Sequence, residues 1–315
     1  MYLGTIAVDK NETAVAAIRL DNHSWLDVAR AAALAGGSQP AALKAGTVQA
    51  LIEAGDEALS ALQALKTQAE TGGQFADVVY ASEAVRLLAP IPTPRKNVFC
   101  VGRNYAEHIA EFARAQKTKA SVSDNPIYFT KPPTAVIGPD AEIPIFPHVS
   151  EAIDYEVELT VVIGKPGRNI KKADAYDHVF GYTISNDISA RDVQRAHGGQ
   201  YFKGKGLDGS CPLGPWIVTA DEMGQPDNLS ISLSVNGEIR QNGNTSQLIF
   251  DIPTLIENLS AGLTLEPGDL IATGTPSGVG YAMDPPQFLK HGDTVVCEVE
   301  KIGRLSNTMR NETNS

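Results

Sequence analysis

Within IDYEVELTVVIG, residues 153–164, Glu156 and Glu158 stand two positions apart in an otherwise apolar run. Side chains alternate across a strand with period 2. Ile153, Tyr155, Val157 and Leu159 therefore take one face, and Asp154, Glu156, Glu158 and Thr160 take the other. Two adjacent carboxylates repel unless a cation lies between them. Hard divalent ions such as Mg²⁺ or Mn²⁺ take oxygen ligands and fit that role. Asp187, after the apolar run in GYTISNDISARD, is the expected third ligand. A Glu-x-Glu strand is also the pattern of a solvated face, although the TVVIG that follows points to burial on both sides. Asp154 and Asp192 read as members of surface ion pairs.

A second group lies in GRNYAEHIAEF, residues 102–112. Asn104 followed by Glu107 has capping-box spacing, so a short helix is expected to start there. His108 and Glu111 then fall at i and i+3 on one helix face. A histidine held by a carboxylate is a general base at neutral pH; an exposed helix with an incidental His–Glu contact gives the same spacing. Residues 113–125 are polar and without strong pattern, which suits a lid over a site. Gly204 and Gly206 in KGKG let the backbone pass close to a ligand, with Lys205 offering a cation. The stretch TGTPSGVG, 273–280, is either an anion cradle of backbone N–H groups or a tight turn between strands. Arg191 and Gln194, three apart, either face a substrate carboxylate or open an ordinary polar helix.

Several classes are excluded. No HExxH or HxxxH spacing and no GxSxG elbow occurs, which argues against a zinc protease and an α/β-type serine hydrolase. Lys plus Arg total 26 against 37 Asp plus Glu, a net charge of −11. That balance argues against nucleic acid and anionic lipid as partners. Cys100, Cys211 and Cys297 are too few and too scattered for a disulfide framework. No run of about 18 apolar residues crosses a membrane. The N-terminus lacks a basic region before an apolar core. A cytoplasmic location is expected.

The elements that must position these groups fall into two textures. Residues 1–20 read as one or two short strands. Residues 24–36 and 40–68 read as helices, the second with Val48, Leu51, Ile52, Leu59, Leu62 and Leu65 along one face. APIPTPRK, 89–96, is a stiff linker with three prolines. The boundary is placed near Pro94, giving a small N-terminal domain, 1–93, and a catalytic domain, 94–315. From Asn97 the chain reads as short strands cut by Gly, Pro and Asn-Gly turns: NVFCVG, PIYFT, VELTVVIG, GYTISNDI, LSISLSV, DLIATG and TVVCEVE. Asn236-Gly237 marks a hairpin, and 251–262 a helix. The fold class is α+β, mostly β.

Taken in order, FCVGRNYAEHIAE, YFTKPPTAVIGP, IDYEVELTVVIG, NDISARDVQ, KGKGLDGSCPLGP and LIATGTPSGVG resemble the fumarylacetoacetate hydrolase family, from about Asn97 to Met309. The resemblance implies a β-sandwich roll preceded by a small N-terminal α/β domain, and a homodimer. It implies Mg²⁺ or Mn²⁺ held by Glu156, Glu158 and Asp187, with water completing the shell, and a catalytic His108–Glu111 pair on a helix that orders over substrate. Lys205, Arg191, Gln194 and Thr275 match positions that contact substrate; Lys131 is a weaker match. The substrate class is a small anionic 2-oxo acid. The leading expectation is a Mg²⁺-dependent hydrolase that cleaves a C–C bond in an acylpyruvate-like 2,4-diketo acid, the cation stabilising the enolate. The alternatives are an oxaloacetate decarboxylase, an isomerase or decarboxylase of a 2-hydroxymuconate-type dienoate, and a non-catalytic binding protein.

Overall fold

The structure, a computed structural model, describes residues 1–8 and 13–312. Its largest sheet has twelve strands. The central path runs Cys211–Thr219, Val179–Asn186, Val157–Ile163, Leu270–Ala272, Val98–Gly102 and Ile127–Lys131. The pairings along it are antiparallel except for Leu270–Ala272 with Val98–Gly102. A five-stranded sheet, Glu238–Asn244, Ser230–Val235, Thr294–Val299, Gly303–Asn311 and Glu142–Ile145, packs against it. Val157, Leu159, Val161 and Ile184 meet Leu233, Val295, Cys297 and Leu305 in one core. These are the alternate positions of the strands, as period 2 requires. Val162 faces the other way, into a second core with Leu3, Ile18, Leu51 and Leu62. The strand Val157–Ile163 is buried along its whole length, which leaves Glu158 no route to bulk water except through a cavity.

The N-terminal stretch joins the same sheet. Tyr2–Ala7 pairs antiparallel with Cys211–Thr219 and with Ala14–Arg19. Two helical expectations change here. In the first, Trp25–Asp27 form a strand against Ala17–Arg19, and Asp27 then caps a helix that runs only over Val28–Ala35. Pairing on both sides, with Ala17–Arg19 and with Val79–Tyr80, outweighs helix propensity in these three residues. In the second, 40–68 divides into Ala41–Lys44, Val48–Ala54 and Asp56–Thr71. The breaks fall at Gly46 and Gly55, both with positive φ, a conformation that ends a helix and favours glycine.

The expected hairpin is present, with Asn236 and Gly237 at φ of 53° and 83°, the paired positive values of a two-residue turn that follows strand twist. The helix expected at 251–262 is Ile252–Ser260, capped by Asp251 and opened by Pro253. Among the described residues no helix is long and apolar enough to cross a membrane.

Candidate active site

The site lies where three segments meet: the strand Val157–Ile163 with Glu156 just before it, the helix Ala106–Gln116, and the loop 273–280. Asn104 ties the last two together. Its side-chain amide donates to the carbonyls of Phe250 and Thr273 at 3.0 and 2.8 Å, and its Oδ1 accepts from Phe250 N at 2.8 Å. The expected capping box is therefore not formed. Tyr105 occupies the N-cap without a side-chain bond, because Asn104 is used as a cross-brace. The helix also runs four residues into the polar stretch 113–125. It ends at Lys117, which adopts a left-handed conformation.

His108 Nδ1 lies 2.8 Å from Glu111 Oε1, and both side chains are buried. A carboxylate only accepts, so an ionised Glu111 places the proton on Nδ1 and leaves the Nε2 lone pair free as a base. Glu111 Oε2 accepts from Gly278 N at 2.8 Å. The dyad is thus clamped from the loop side.

Glu156, Glu158 and Asp187 each offer a carboxylate oxygen within 4.8 Å of the others, and all three are buried. Lys205 Nζ stands between two of them, 2.7 Å from Glu156 Oε2 and 2.6 Å from Asp187 Oδ2. Glu158 has a different environment. Its Oε2 accepts from Gly274 N at 2.9 Å, but no side-chain cation pairs with it among the described residues. Burial, then the Asp187 and Glu156 charges, push the Glu158 carboxyl well above its usual range. Burial also opposes ionisation of Glu156, but Lys205 and Arg191 outweigh it and hold that carboxyl below the usual range.

The donor set suits a divalent cation on two counts. It is all oxygen, as hard ions require. The buried side chains also fail to balance: five carboxyls, Asp154, Glu156, Glu158, Asp187 and Glu111, accompany three buried cations, Lys131, Lys205 and Arg191, so full ionisation would leave two negative charges. Buried charge is costly unless compensated, and one divalent cation supplies the missing amount.

The glycine-rich loop is an anion cradle for the protein's own carboxylates. Gly274 N binds Glu158, Gly278 N binds Glu111, and Gly280 N with Tyr281 N binds Asp154. Gly278 has φ of +109°, and a Cβ there would lie 2.0 Å from the Arg240 carbonyl oxygen. Gly278→Ala is expected to cost about 2 kcal/mol or more of stability. It should also lower turnover by displacing the clamp on Glu111. Urea unfolding and steady-state kinetics of the variant check both effects.

The structure moves three sequence assignments. Asp154, read as a surface partner, is fully buried and accepts from Arg191 Nε at 2.8 Å. Its nearest sequence neighbours gave no sign of that partner, which lies 37 positions away. Lys131, matched to a substrate contact, does not line the cavity. Its ammonium donates to Asp187 Oδ1 at 2.7 Å, to the Ile188 carbonyl at 3.1 Å and to the Lys205 carbonyl. With three acceptors it has no donor left for a ligand, and it positions Asp187 instead. Arg191 lines the cavity, but its Nε and one terminal nitrogen bind Asp154 and Glu156, the latter at 2.6 Å. Its other terminal nitrogen lies 3.3 Å from Gln194 Oε1.

Gln194, Lys205 and Thr275 line the same cavity as His108, Glu156 and Glu158. Thr275 Oγ1 accepts from Gln241 Nε2 at 2.8 Å. Phe112, Phe129, Tyr201 and Arg103 also line it; sequence reasoning did not mark them. Phe112 follows from His108 by helical spacing, i to i+4, and its ring lies 5.0 Å from the imidazole.

A family model described as "Fumarylacetoacetate (FAA) hydrolase C-terminal" matches residues 97–310. The chain belongs to the fumarylacetoacetate hydrolase family. Its relatives include oxaloacetate tautomerase YisK of Bacillus subtilis, 49% identical over 74% of this chain and 76% of that protein. A mitochondrial oxaloacetate tautomerase of Homo sapiens is 47% identical over 71% of this chain and 69% of that protein. Among solved structures, a fumarylacetoacetate hydrolase from Exiguobacterium antarcticum superposes with a TM-score of 0.78 at 36% identity, covering 99% of this chain and 100% of that one. A 2-hydroxyhepta-2,4-diene-1,7-dioate isomerase from Mycobacterium marinum superposes with a TM-score of 0.71 at 31% identity, covering 100% of both chains. The family's fold, an α/β arrangement of packed sheets, is the one observed here. The family is one of enzymes acting by hydrolysis, isomerisation or tautomerisation, and the tautomerase relatives favour the proton-transfer alternative over the C–C hydrolysis that led the sequence reading.

Proposed function

We propose that this protein is a metal-assisted tautomerase of oxaloacetate or a closely similar 2-oxo dicarboxylic acid. The observation that carries the reading is His108, clamped through Glu111, opening on the same cavity as Glu156 and Glu158. Keto–enol exchange requires one base that removes a proton from C3 and returns it to oxygen, with positive charge near the 2-oxo oxygen. A Mg²⁺ or Mn²⁺ ion held by Glu156, Glu158 and Asp187 would supply Lewis acidity at that oxygen.

The chain's own residues do the rest. His108 Nε2 takes the proton from C3 and delivers it to the 2-oxo oxygen, or the reverse, while Glu111 fixes the ring and balances the imidazolium charge. Lys205 contributes a fixed cation beside the developing oxyanion. Its pKa is raised: burial opposes the charge, but Asp187 and Glu156 outweigh that and keep it protonated. Phe112, packed on His108 and 5.1 Å from the Tyr281 ring, covers the cavity and limits access of water. Excluding water protects a tautomerase from the side reactions a hydrolase would carry out. The names borne by the relatives from Bacillus subtilis and Homo sapiens support the same reading.

The test follows enolic oxaloacetate by ultraviolet absorbance with Mg²⁺-loaded protein, its chelated twin and His108→Ala. Faster decay of the enol signal without pyruvate release is the expected result. Chelation should abolish it, and His108→Ala should slow it by about 10²- to 10⁴-fold. Pyruvate and CO₂ from oxaloacetate would make the enzyme a decarboxylase. Pyruvate plus a second acid from acetylpyruvate or fumarylpyruvate, with oxaloacetate inert, would restore the hydrolase. Double-bond migration in a 2-hydroxy-dienedioate alone would place it with its Mycobacterium marinum neighbour.

A further inference from the structure

Arg103 lines two cavities at once. One is the cavity over Glu156 and Glu158; the other lies outside Phe112, where Arg195, Gln116 and Tyr281 also contribute. Each charged residue that lines the outer cavity is an arginine: Arg103, Arg191 and Arg195. This is unusual in a chain with 37 acidic residues against 26 basic ones, where a free carboxylate is the commonest neighbour a guanidinium could find.

The three arginines are not equivalent. Arg191 is neutralised by Asp154 and Glu156. Arg195 stacks 5.2 Å from the centroid of Tyr281 and donates to its hydroxyl at 3.3 Å. Arg103 has no hydrogen bond or ion pair from its side chain among the described residues. Its backbone is also held at φ of +59°, a conformation uncommon outside glycine and asparagine that tends to persist where function requires it. A half-buried guanidinium with no partner, in a strained backbone, at the junction of two cavities, is poised for an anion supplied from outside.

We propose that Arg103 is a specificity-determining residue that receives the second carboxylate of a dicarboxylic 2-oxo or 2-hydroxy acid. The reacting end of that acid sits at Glu156, Glu158 and His108. The identity of the reacting end rests on the tautomerase reading; the charge at the far end does not. Arg191 is already neutralised by two carboxylates and Arg195 is turned to Tyr281, which leaves Arg103 to discriminate a dicarboxylate from a monocarboxylate.

Malate and lactate separate these points without any turnover. Both present the same 2-hydroxy acid end, and only malate carries the second carboxylate. Titration calorimetry of Mg²⁺-loaded protein should show malate binding about tenfold more tightly than lactate, the worth of one charge-assisted hydrogen bond. Arg103→Met should erase that preference while leaving lactate binding and the melting temperature near wild type, and Arg103→Lys should restore part of it. In kinetics, Arg103→Met should raise KM for oxaloacetate more than it lowers kcat. An unchanged malate-to-lactate ratio in Arg103→Met overturns the proposal, as does a wild-type protein that binds neither acid. A preference that depends on Arg103, in a protein that does not turn over oxaloacetate, leaves the subsite standing and removes the tautomerase reading instead.

Discussion

Glu158→Gln is expected to reduce Mg²⁺ affinity and oxaloacetate turnover by about 10²-fold or more. In chelator, the same change should make the protein more stable. Both effects have one cause. Glu158 is buried beside Asp187 and Glu156, and its carboxyl is pushed well up by burial and by those charges. Ionised without a cation, it is a cost to the fold; with the cation, it is a ligand. A group whose folded pKa is raised contributes stability that is fully present below its ordinary value near 4.5. That contribution is lost as pH rises through the folded value. The metal-free wild-type protein should therefore lose stability relative to the glutamine variant on going from acid to neutral pH, whatever the other carboxylates contribute to both. Thermal melts with and without Mg²⁺ at several pH values measure this directly. A Glu158→Gln variant that melts lower than wild type in chelator would show that Gly274 N–H needs the carboxylate more than the site suffers from it. A variant that keeps full Mg²⁺ affinity would remove Glu158 from the ligand set.

Arg191→Met should be the most destabilising single change at the site. Its guanidinium joins Asp154 and Glu156, both buried, at 2.8 and 2.6 Å. Burial opposes the guanidinium charge, but Glu156 and Asp154 outweigh it and raise the Arg191 pKa. Methionine fills much of the volume, leaves Asp154 with backbone N–H donors and no cation, and leaves Glu156 to Lys205 alone. Breaking a buried pair in this way costs about 3–5 kcal/mol. The double variant Arg191→Met, Asp154→Asn should recover a measurable part of the loss, since it removes one of the stranded charges. Urea unfolding of the two variants decides the matter: a loss below about 1 kcal/mol for the single change would mean that water reaches Asp154 when the arginine is gone.

These two residues also mark the limit of what sequence reasoning reached. Glu156 and Glu158 were legible because strand alternation is a local rule. The structure keeps it: Ile153, Tyr155, Val157 and Leu159 enter one core, and the carboxylates face away. His108 and Glu111 were legible because i,i+3 spacing is a property of any helix. The Asn236-Gly237 turn and the Asp251 cap follow from preferences of single residues. Asp154 obeys the same alternation as its neighbours, yet nothing local separates a carboxylate paired with solvent cations from one paired with a buried arginine.

The sequence by itself determined which side chains share a face, where the chain turns, and the family to which the order of motifs belongs. Tertiary structure alone decided the partners. It spends Lys131 on Asp187 rather than on substrate and uses Asn104 as a brace instead of a cap. It turns the amides of 273–280 onto Glu158, Glu111 and Asp154 and leaves Arg103 unpaired between two cavities. The physical reason is range. Backbone geometry acts over a few residues and can be read from spacing, whereas the charge state and partner of a buried group depend on whatever the fold brings within about 3 Å, often from a hundred positions away.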